Sequence, residues 1–213
     1  MVHCGVDEAG KGAVLGPLVV AAVGCRETED LAGLGVRDSK ALTPAQREAL
    51  AERIRDSFPT AILSLTPADV DSRGMSMNVL MARSHAHVIS LLAPPVAIVD
   101  ACDVNPARYG SMVLGFLTVP CRVIAEHHAD QHHPAVSAAS IIAKVERDHS
   151  IARMREEWGD IGSGYPSDPA TVRFLVSYFR EHGHCPPIAR RSWATVRELA
   201  ARHEQQDLTS FLQ

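Results

Sequence analysis

Val2, Cys4 and Val6 alternate with His3, Gly5 and Asp7, the period-two pattern of a half-buried strand. The next apolar segment, Pro17 to Cys25 (PLVVAAVGC), has no polar face and predicts a strand covered on both sides. Ala61–Thr66, Val96–Asp100 and Cys121–Glu126 read as three further short strands. Helical signals lie between them. Thr43, Pro44 and Gln46 supply an N-cap, a proline at the first helical position and a capping-box partner, which predicts a helix to about Ser57. Val79, Ala82, Ala86 and Ile89 recur at helical spacing, so a second helix spans about Met77–Leu92 and stops before Pro94 and Pro95. Pro134 opens a long helix to about Trp158. Its small residues (Ala135, Ser137, Ala138, Ala139, Ser140, Ala143) let it lie close to a sheet. Beyond a glycine-rich loop at Gly162–Asp168, two helices are predicted at about 169–182 and 191–204. The order of elements gives an α/β fold, a mixed sheet flanked by helices with a small helical appendage.

Length and composition narrow this picture. A chain of 213 residues with 46% hydrophobic content can bury a real core in one domain plus an appendage. The net charge is −4, but Arg173 to Arg202 carries six arginines against Glu181 and Glu198. That segment is locally basic, as a polyanion partner requires. Five cysteines show no CxxC spacing, so neither a zinc knuckle nor a disulfide framework is indicated. There is no leader-like N-terminus and no apolar run approaching membrane length. The expectation is a soluble, cytoplasmic protein without a membrane partner.

The candidate chemistry is concentrated in carboxylates. Asp7 and Glu8 are adjacent where the first strand is expected to end, and Gly10, Lys11 and Gly12 follow at once. Two neighbouring ionised acids repel each other and resist burial, which a hard divalent cation would relieve. The glycine-lysine-glycine turn would bring backbone N–H groups and an ammonium to a phosphate ester. An ordinary exposed acidic turn is the plainer alternative. Asp100 closes another strand, and Asp130 lies just past the next. Strand ends are where sites collect in α/β sheets. Four converging carboxylates would hold two Mg²⁺ or Mn²⁺ ions in preference to zinc. A pair of such ions stabilises both the attacking and the leaving oxygen of a phosphoryl displacement.

These residues, in order, carry a family resemblance. Gly5–Gly12 with Gly16 and Pro17, Asp38-Ser39-Lys40, Asn78, Val99–Asn105 (VDACDVN), Ala125–Asp130, Ser137–Asp148 (SAASIIAKVERD), Gly162–Pro169 (GSGYPSDP) and Arg191–Thr195 (RSWAT) together resemble ribonuclease HII, the type 2 ribonuclease H, in its archaeal form. The resemblance implies a ribonuclease H-like, mixed five-stranded sheet. It implies cleavage of RNA in RNA/DNA hybrids and nicking 5′ to single ribonucleotides in duplex DNA, giving 3′-hydroxyl and 5′-phosphate ends. The family's metal-binding acids fall on Asp7, Glu8, Asp100 and Asp130, with Asp103 a nearby competitor. In that picture Asp7 bridges the two metals. Gly10, Lys11 and Gly12 correspond to the element that senses the ribose 2′-hydroxyl, and Tyr165 to a tyrosine stacking on the sugar at the RNA–DNA junction. Lys40, Lys144 and Arg147 are candidate phosphate contacts. Arg191, Ser192 and Trp193 would lie on the basic appendage against the duplex.

Two segments stand apart. His127, His128, His132 and His133 crowd around Asp130, where the family tends to carry a lysine near position 128. They are read as loop residues and not as a dedicated zinc site. At the C-terminus, Gln205, Leu208, Phe211 and Leu212 fit Q-x-x-L-x-x-F-L, which resembles the motif by which replication proteins dock on the sliding clamp, PCNA. The apolar residues would share one side of a short helical turn. The expected organisation is a catalytic domain at 1–165, a helical substrate-binding region at 166–204 and a clamp-binding tail at 205–213, acting as a monomer. The competing readings are a non-catalytic nucleic-acid or clamp-binding module, ribonuclease HIII, and a small-molecule phosphatase.

Overall fold

A computed structural model describes residues 2–26, 28–36, 42–72 and 74–211; for 28, 29 and 203–211 the description is of the backbone. Lys40 and Leu212 therefore lie outside the described residues, as do the side chains of Gln205, Leu208 and Phe211. Five strands form one sheet in the order β3-β2-β1-β4-β5: β1 (His3–Ala9), β2 (Leu18–Cys25), β3 (Thr60–Leu65), β4 (Val96–Asp100) and β5 (Arg122–Glu126). β1 pairs antiparallel with β2 and parallel with β4. β4 in turn pairs parallel with β5. This is the expected mixed sheet.

The helices among the described residues are α1 (Thr28–Ala32), α2 (Pro44–Ser57), α3 (Pro67–Asp71), α4 (Met77–Leu92), α5 (Pro106–Phe116), α6 (Ala129–His132), α7 (Pro134–Trp158), α8 (Pro169–His182) and α9 (Ala194–Phe211). The Thr43 capping box forms as the sequence predicts. Three boundaries differ from expectation by more than one residue. β1 continues through Asp7 and Glu8 to Ala9, because the antiparallel partner β2 extends the ladder to Ala9↔Val19. The last helix begins at Ala194, after Arg191 and Ser192 have their backbone N–H groups bound by Asp71. It then continues to Phe211, past the expected end at 204.

The chain divides into two compact units. The first comprises Met1–Ala9, Val19–Ser64 and Met75–Glu146. Its core includes the inner face of β2 (Val19, Ala21, Val23), Leu50 and Ile54 of α2, and Ala135, Ala138, Ala139, Ile142 and Val145 of α7. Gly5 explains the small residues of α7: a Cβ there would stand 2.1 Å from the Ala135 backbone, so strand and helix meet backbone to backbone.

The second unit comprises Gly10–Leu18, Leu65–Gly74 and Arg147–Gln213. Val14, Leu15, Ile151, Ile161, Leu175, Phe179 and Val196 form its core. The division falls inside α7, between Glu146 and Arg147.

Candidate active site

The parallel register of β1 on β4 ends with Val6↔Val99, which sets Asp7 level with Asp100 at the carboxyl ends of both strands. Successive strand residues face opposite sides. Asp7 turns toward α7, where the Ser140 hydroxyl hydrogen-bonds it. Glu8 turns toward α4, with Oε2 3.3 Å from His85 Nε2. Asp100 Oδ1 accepts from the Ala129 backbone N–H at 2.9 Å, fastening the start of α6, the short helix that carries Asp130, to the end of β4. The parallel strand ends and the segment after β5 thus supply all four sequence-predicted acids.

The acids are also coupled electrostatically. Asp7 is only 7% exposed. Burial first, then the Glu8 charge and more weakly Asp100, push its carboxyl up to about 8, against the hydrogen bonds from Ser140 and the Glu8 backbone. Asp100 is also raised, by burial and by the charges of Glu8 and Asp130. Groups held this way resist ionisation unless a cation joins them. The donors are all oxygens, which suits a hard divalent ion. Asp7, Glu8, Asp100 and Asp130 therefore fit a divalent-metal centre.

Asp103, the nearby competitor, is committed elsewhere. It accepts from Asn78 Nδ2 and the Asn105 backbone, each at 2.9 Å, and from Arg108. These hydrogen bonds hold its carboxyl below its ordinary range. Lys144 donates to Ser140 Oγ at 2.9 Å, so it reaches Asp7 through that hydroxyl. The histidine run does not converge. His133 Nε2 pairs with Glu126 Oε2 at 2.8 Å, while His127 meets the Val104 carbonyl at 3.4 Å.

Of the remaining predicted residues, Gly10, Lys11, Gly12, Arg147, Tyr165, Arg191 and Trp193 lie in the second unit. Gly10 has φ +85, and a Cβ there would strike the Arg147 side chain at 2.5 Å. Gly12 has open space around it. Arg147 is only 4% exposed. Its Nη2 donates to the Ser163 carbonyl at 3.0 Å, and its guanidinium lies 4.5 Å from the Tyr165 ring centroid. The loop carrying Tyr165 is held by Asp168, which accepts from the Ser163 and Ala170 N–H groups.

Arg190 and Asp71 were not legible as site-supporting residues. Arg190 is fully buried and donates to the Gly16 and Lys11 carbonyls. Its guanidinium lies 5.0 Å from the Trp193 ring centroid. One of the six arginines of the basic segment is thus interior, and the other five are exposed.

A five-stranded mixed sheet of this order, with acids gathered at the ends of its parallel strands, defines the ribonuclease H-like class. The profile of one family within it, Ribonuclease HII, matches residues 4–196. The chain is 53% identical over 210 residues to Ribonuclease HII of Methanoregula boonei, covering 98% of this chain and 99% of that one. It is similar to the crystal structure of ribonuclease H2 from Pyrococcus horikoshii, with TM-score 0.91 and 42% identity over 96% of this chain and all of that one. It also resembles the ribonuclease in the PCNA:RNase HII complex from Archaeoglobus fulgidus, with TM-score 0.87 and 44% identity over 93% of this chain and 96% of that one. The chain belongs to the ribonuclease HII family. It is a type 2 ribonuclease H, a divalent-metal-dependent hydrolase of RNA/DNA hybrids.

Proposed function

We propose that this enzyme cuts the RNA strand of RNA/DNA hybrids and nicks 5′ to single ribonucleotides in duplex DNA, leaving 3′-hydroxyl and 5′-phosphate ends. The observation that carries the reading is the Asp7 carboxyl, level with Asp100 and raised by burial and then by its acidic neighbours. Asp7, Glu8, Asp100 and Asp130 would hold two Mg²⁺ or Mn²⁺ ions. Bound there, the cations would supply charge stabilisation to both oxygens of an in-line phosphoryl displacement. Ser140 and Lys144 orient Asp7 and offset the negative charge around it. No side-chain nucleophile is required.

Substrate selection falls mainly to residues of the second unit in this reading. Gly10, Lys11 and Gly12 contact the ribose 2′-hydroxyl with backbone groups, which approach closely only where side chains are absent. Tyr165, held by Arg147, stacks on the junction sugar. Arg191 and Trp193, with Lys40, meet the duplex. Along the chain we read a catalytic domain at 1–165, a helical substrate-binding region at 166–204 and a clamp-binding tail at 205–213, with the catalytic domain also contributing Gly10, Lys11, Gly12, Arg147 and Tyr165 to substrate contact. The PCNA complex of the Archaeoglobus relative and the Gln205, Leu208, Phe211, Leu212 pattern support docking on a sliding clamp. Such docking would place the enzyme, as a cytoplasmic monomer, in primer removal and ribonucleotide excision. Among the described residues no helix is long and apolar enough to cross a membrane.

The test is a duplex with one ribonucleotide, incubated with wild type and Asp7→Asn, with and without Mg²⁺ or Mn²⁺. A single nick 5′ to the ribonucleotide, lost with either carboxylate or metal, is the expected result. Absence of any nick from folded wild type with both metals tried would favour a binding module.

A further inference from the structure

Glu8 is flanked by two side chains that a magnesium site does not use. Its Oε1 accepts from the Cys102 thiol at 3.1 Å, and His85 Nε2 stands 3.3 Å from its Oε2. His85 is fully buried on α4, and Cys102 lies two residues beyond β4. One oxygen, one nitrogen and one sulfur from these residues all lie within 4.8 Å of one another. Among the described residues no other set of three or more histidine, cysteine, aspartate or glutamate side chains meets that distance, the four carboxylates included.

The donor chemistry separates this trio from the acids around Asp7. Hard Mg²⁺ gains little from imidazole or thiolate, whereas borderline-soft Zn²⁺ takes both. Zinc bonds are about 2.0–2.2 Å to nitrogen and oxygen and about 2.3 Å to sulfur, and a tetrahedral centre then sets ligand atoms roughly 3.3–3.6 Å apart. The Glu8–His85 separation is already of that size, and the Cys102 sulfur, 3.1 Å from Glu8 Oε1, lies within 4.8 Å of the other two donors. Tyr109 completes the frame. Its hydroxyl is 3.1 Å from His85 Nδ1, and its buried ring meets the imidazole edge-on at 5.6 Å between centroids. Such an outer partner fixes the ring orientation of a metal-binding histidine and here leaves Nε2 toward Glu8.

We propose that Glu8, His85 and Cys102 form a second metal site, selective for a zinc-like cation, that shares Glu8 with the hydrolytic centre. On binding, a sulfur–zinc bond replaces the S–H bond and the thiol proton passes to solvent. Glu8 is then withdrawn from the magnesium-type set, so zinc inhibits. That last step rests on the function proposed above, while the zinc site itself does not.

The experiment uses the full chain in two arms. In the first, Co²⁺ and Zn²⁺ are titrated into wild type and Cys102→Ser, without substrate. The expected outcome is a sulfur-to-cobalt charge-transfer band in wild type that Cys102→Ser lacks, with zinc bound at least about tenfold more weakly by the variant (a difference of about 1.4 kcal/mol). A band that survives in Cys102→Ser, or equal zinc affinity, would overturn the proposal. If Cys102→Ser does not fold, Cys102→Ala is read in the same way. In the second arm, zinc inhibition of hybrid cleavage is measured against each protein's own magnesium-only rate. A tenfold higher inhibitory zinc concentration for the variant is expected. Equal inhibition would overturn the shared role of Glu8. Loss of all cleavage would count against the proposed function, and the spectroscopic arm would still decide the zinc site.

Discussion

The Asp100 carboxylate is hydrogen-bonded by the backbone N–H of Ala129, 29 residues further along the chain, at 2.9 Å. One oxygen of a strand-end acid therefore anchors the segment bearing the next acid, Asp130. Replacing Asp100 with Asn keeps a hydrogen-bond acceptor for Ala129 and removes a charge from the site. We expect Asp100→Asn to fold with near-normal thermal stability and to lose hybrid cleavage by about a thousandfold, the scale of losing several kcal/mol of metal-assisted stabilisation. Asp103→Asn should behave in the opposite way. Its hydrogen-bonding role predicts a lower melting temperature, with a much smaller effect on the rate of the folded fraction. Thermal melts and single-turnover cleavage on the same preparations check both.

The raised Asp7 carboxyl makes metal-free stability depend on pH. An unfolded aspartate titrates near about 3.9, and folded Asp7 does so at about 8. Between those values the folded state binds more protons, so stability falls as pH rises. Asp100, raised in the same direction, adds to the decline. Asp103 and Asp168, both lowered by hydrogen bonds, act at the acid end, where their stabilisation is lost as pH falls below about 4. Chelator-treated protein should thus melt lower at pH 8 than at pH 5, by on the order of a few kcal/mol in stability. Asp7→Asn should flatten that slope, and Mn²⁺ or Mg²⁺ should raise the melting temperature more at pH 8 than at pH 5. An unchanged slope in Asp7→Asn would remove Asp7 as its source.

Gly10 and Gly12 should respond differently to alanine. At Gly10 a side chain meets positive φ, the Arg147 side chain at 2.5 Å and the Pro17 carbonyl at 2.7 Å. Gly10→Ala should cost about 1–3 kcal/mol through backbone strain and impair turn geometry. Gly12→Ala meets nothing within 4 Å, so its stability should be within about 0.5 kcal/mol of wild type. Any loss of preference for a ribose over a deoxyribose in Gly12→Ala then reports a substrate contact. Denaturant melts paired with competition between ribo- and deoxyribo-substrates make the distinction.

Deleting Gln205–Gln213 should abolish capture by a sliding clamp and leave cleavage of short duplexes within about twofold of wild type. Pull-down and gel cleavage on the same deletion test it. Retained capture would place the clamp contact elsewhere.

Much of the fold was readable because its elements carry strong periodicity or caps. The continuous apolar run of β2, the Thr43 capping box and the helical spacing in α4 each fixed an element. α3 was missed although Thr66, Pro67 and Asp69 repeat the cap chemistry of Thr43, Pro44 and Gln46, because its five residues are too few to show periodicity. α5 also begins on a cap and a proline, Asn105 and Pro106, but Gly110 and Gly115 weaken its helical signal. Asp7, Glu8 and Asp100 stood out as carboxylates at apolar strand ends and Asp130 as one just past the next strand, and the family resemblance joined the four into one expected set. Ser140, His85 and Arg190 could not, since a serine, a histidine or an arginine within an ordinary segment gains meaning only from what folding brings against it. Arg190 shows the limit most clearly, because in the sequence it belongs to a solvated basic stretch and in the structure it is interior.

The opposite facing of Asp7 and Glu8 on β1 has a consequence for folding fidelity. If β1 slipped by one residue against its neighbours, Glu8 would take the Ser140 side and Asp7 the His85 side, each with a side chain of the wrong length. The same slip would move Gly5 out from under Ala135 and put a side chain where the backbone of α7 must pass. Misregistered chains would be both unable to close the core and unable to assemble the acids. The central strand thus proofreads its own alignment, and a catalytically competent site certifies that the fold around it was completed in register.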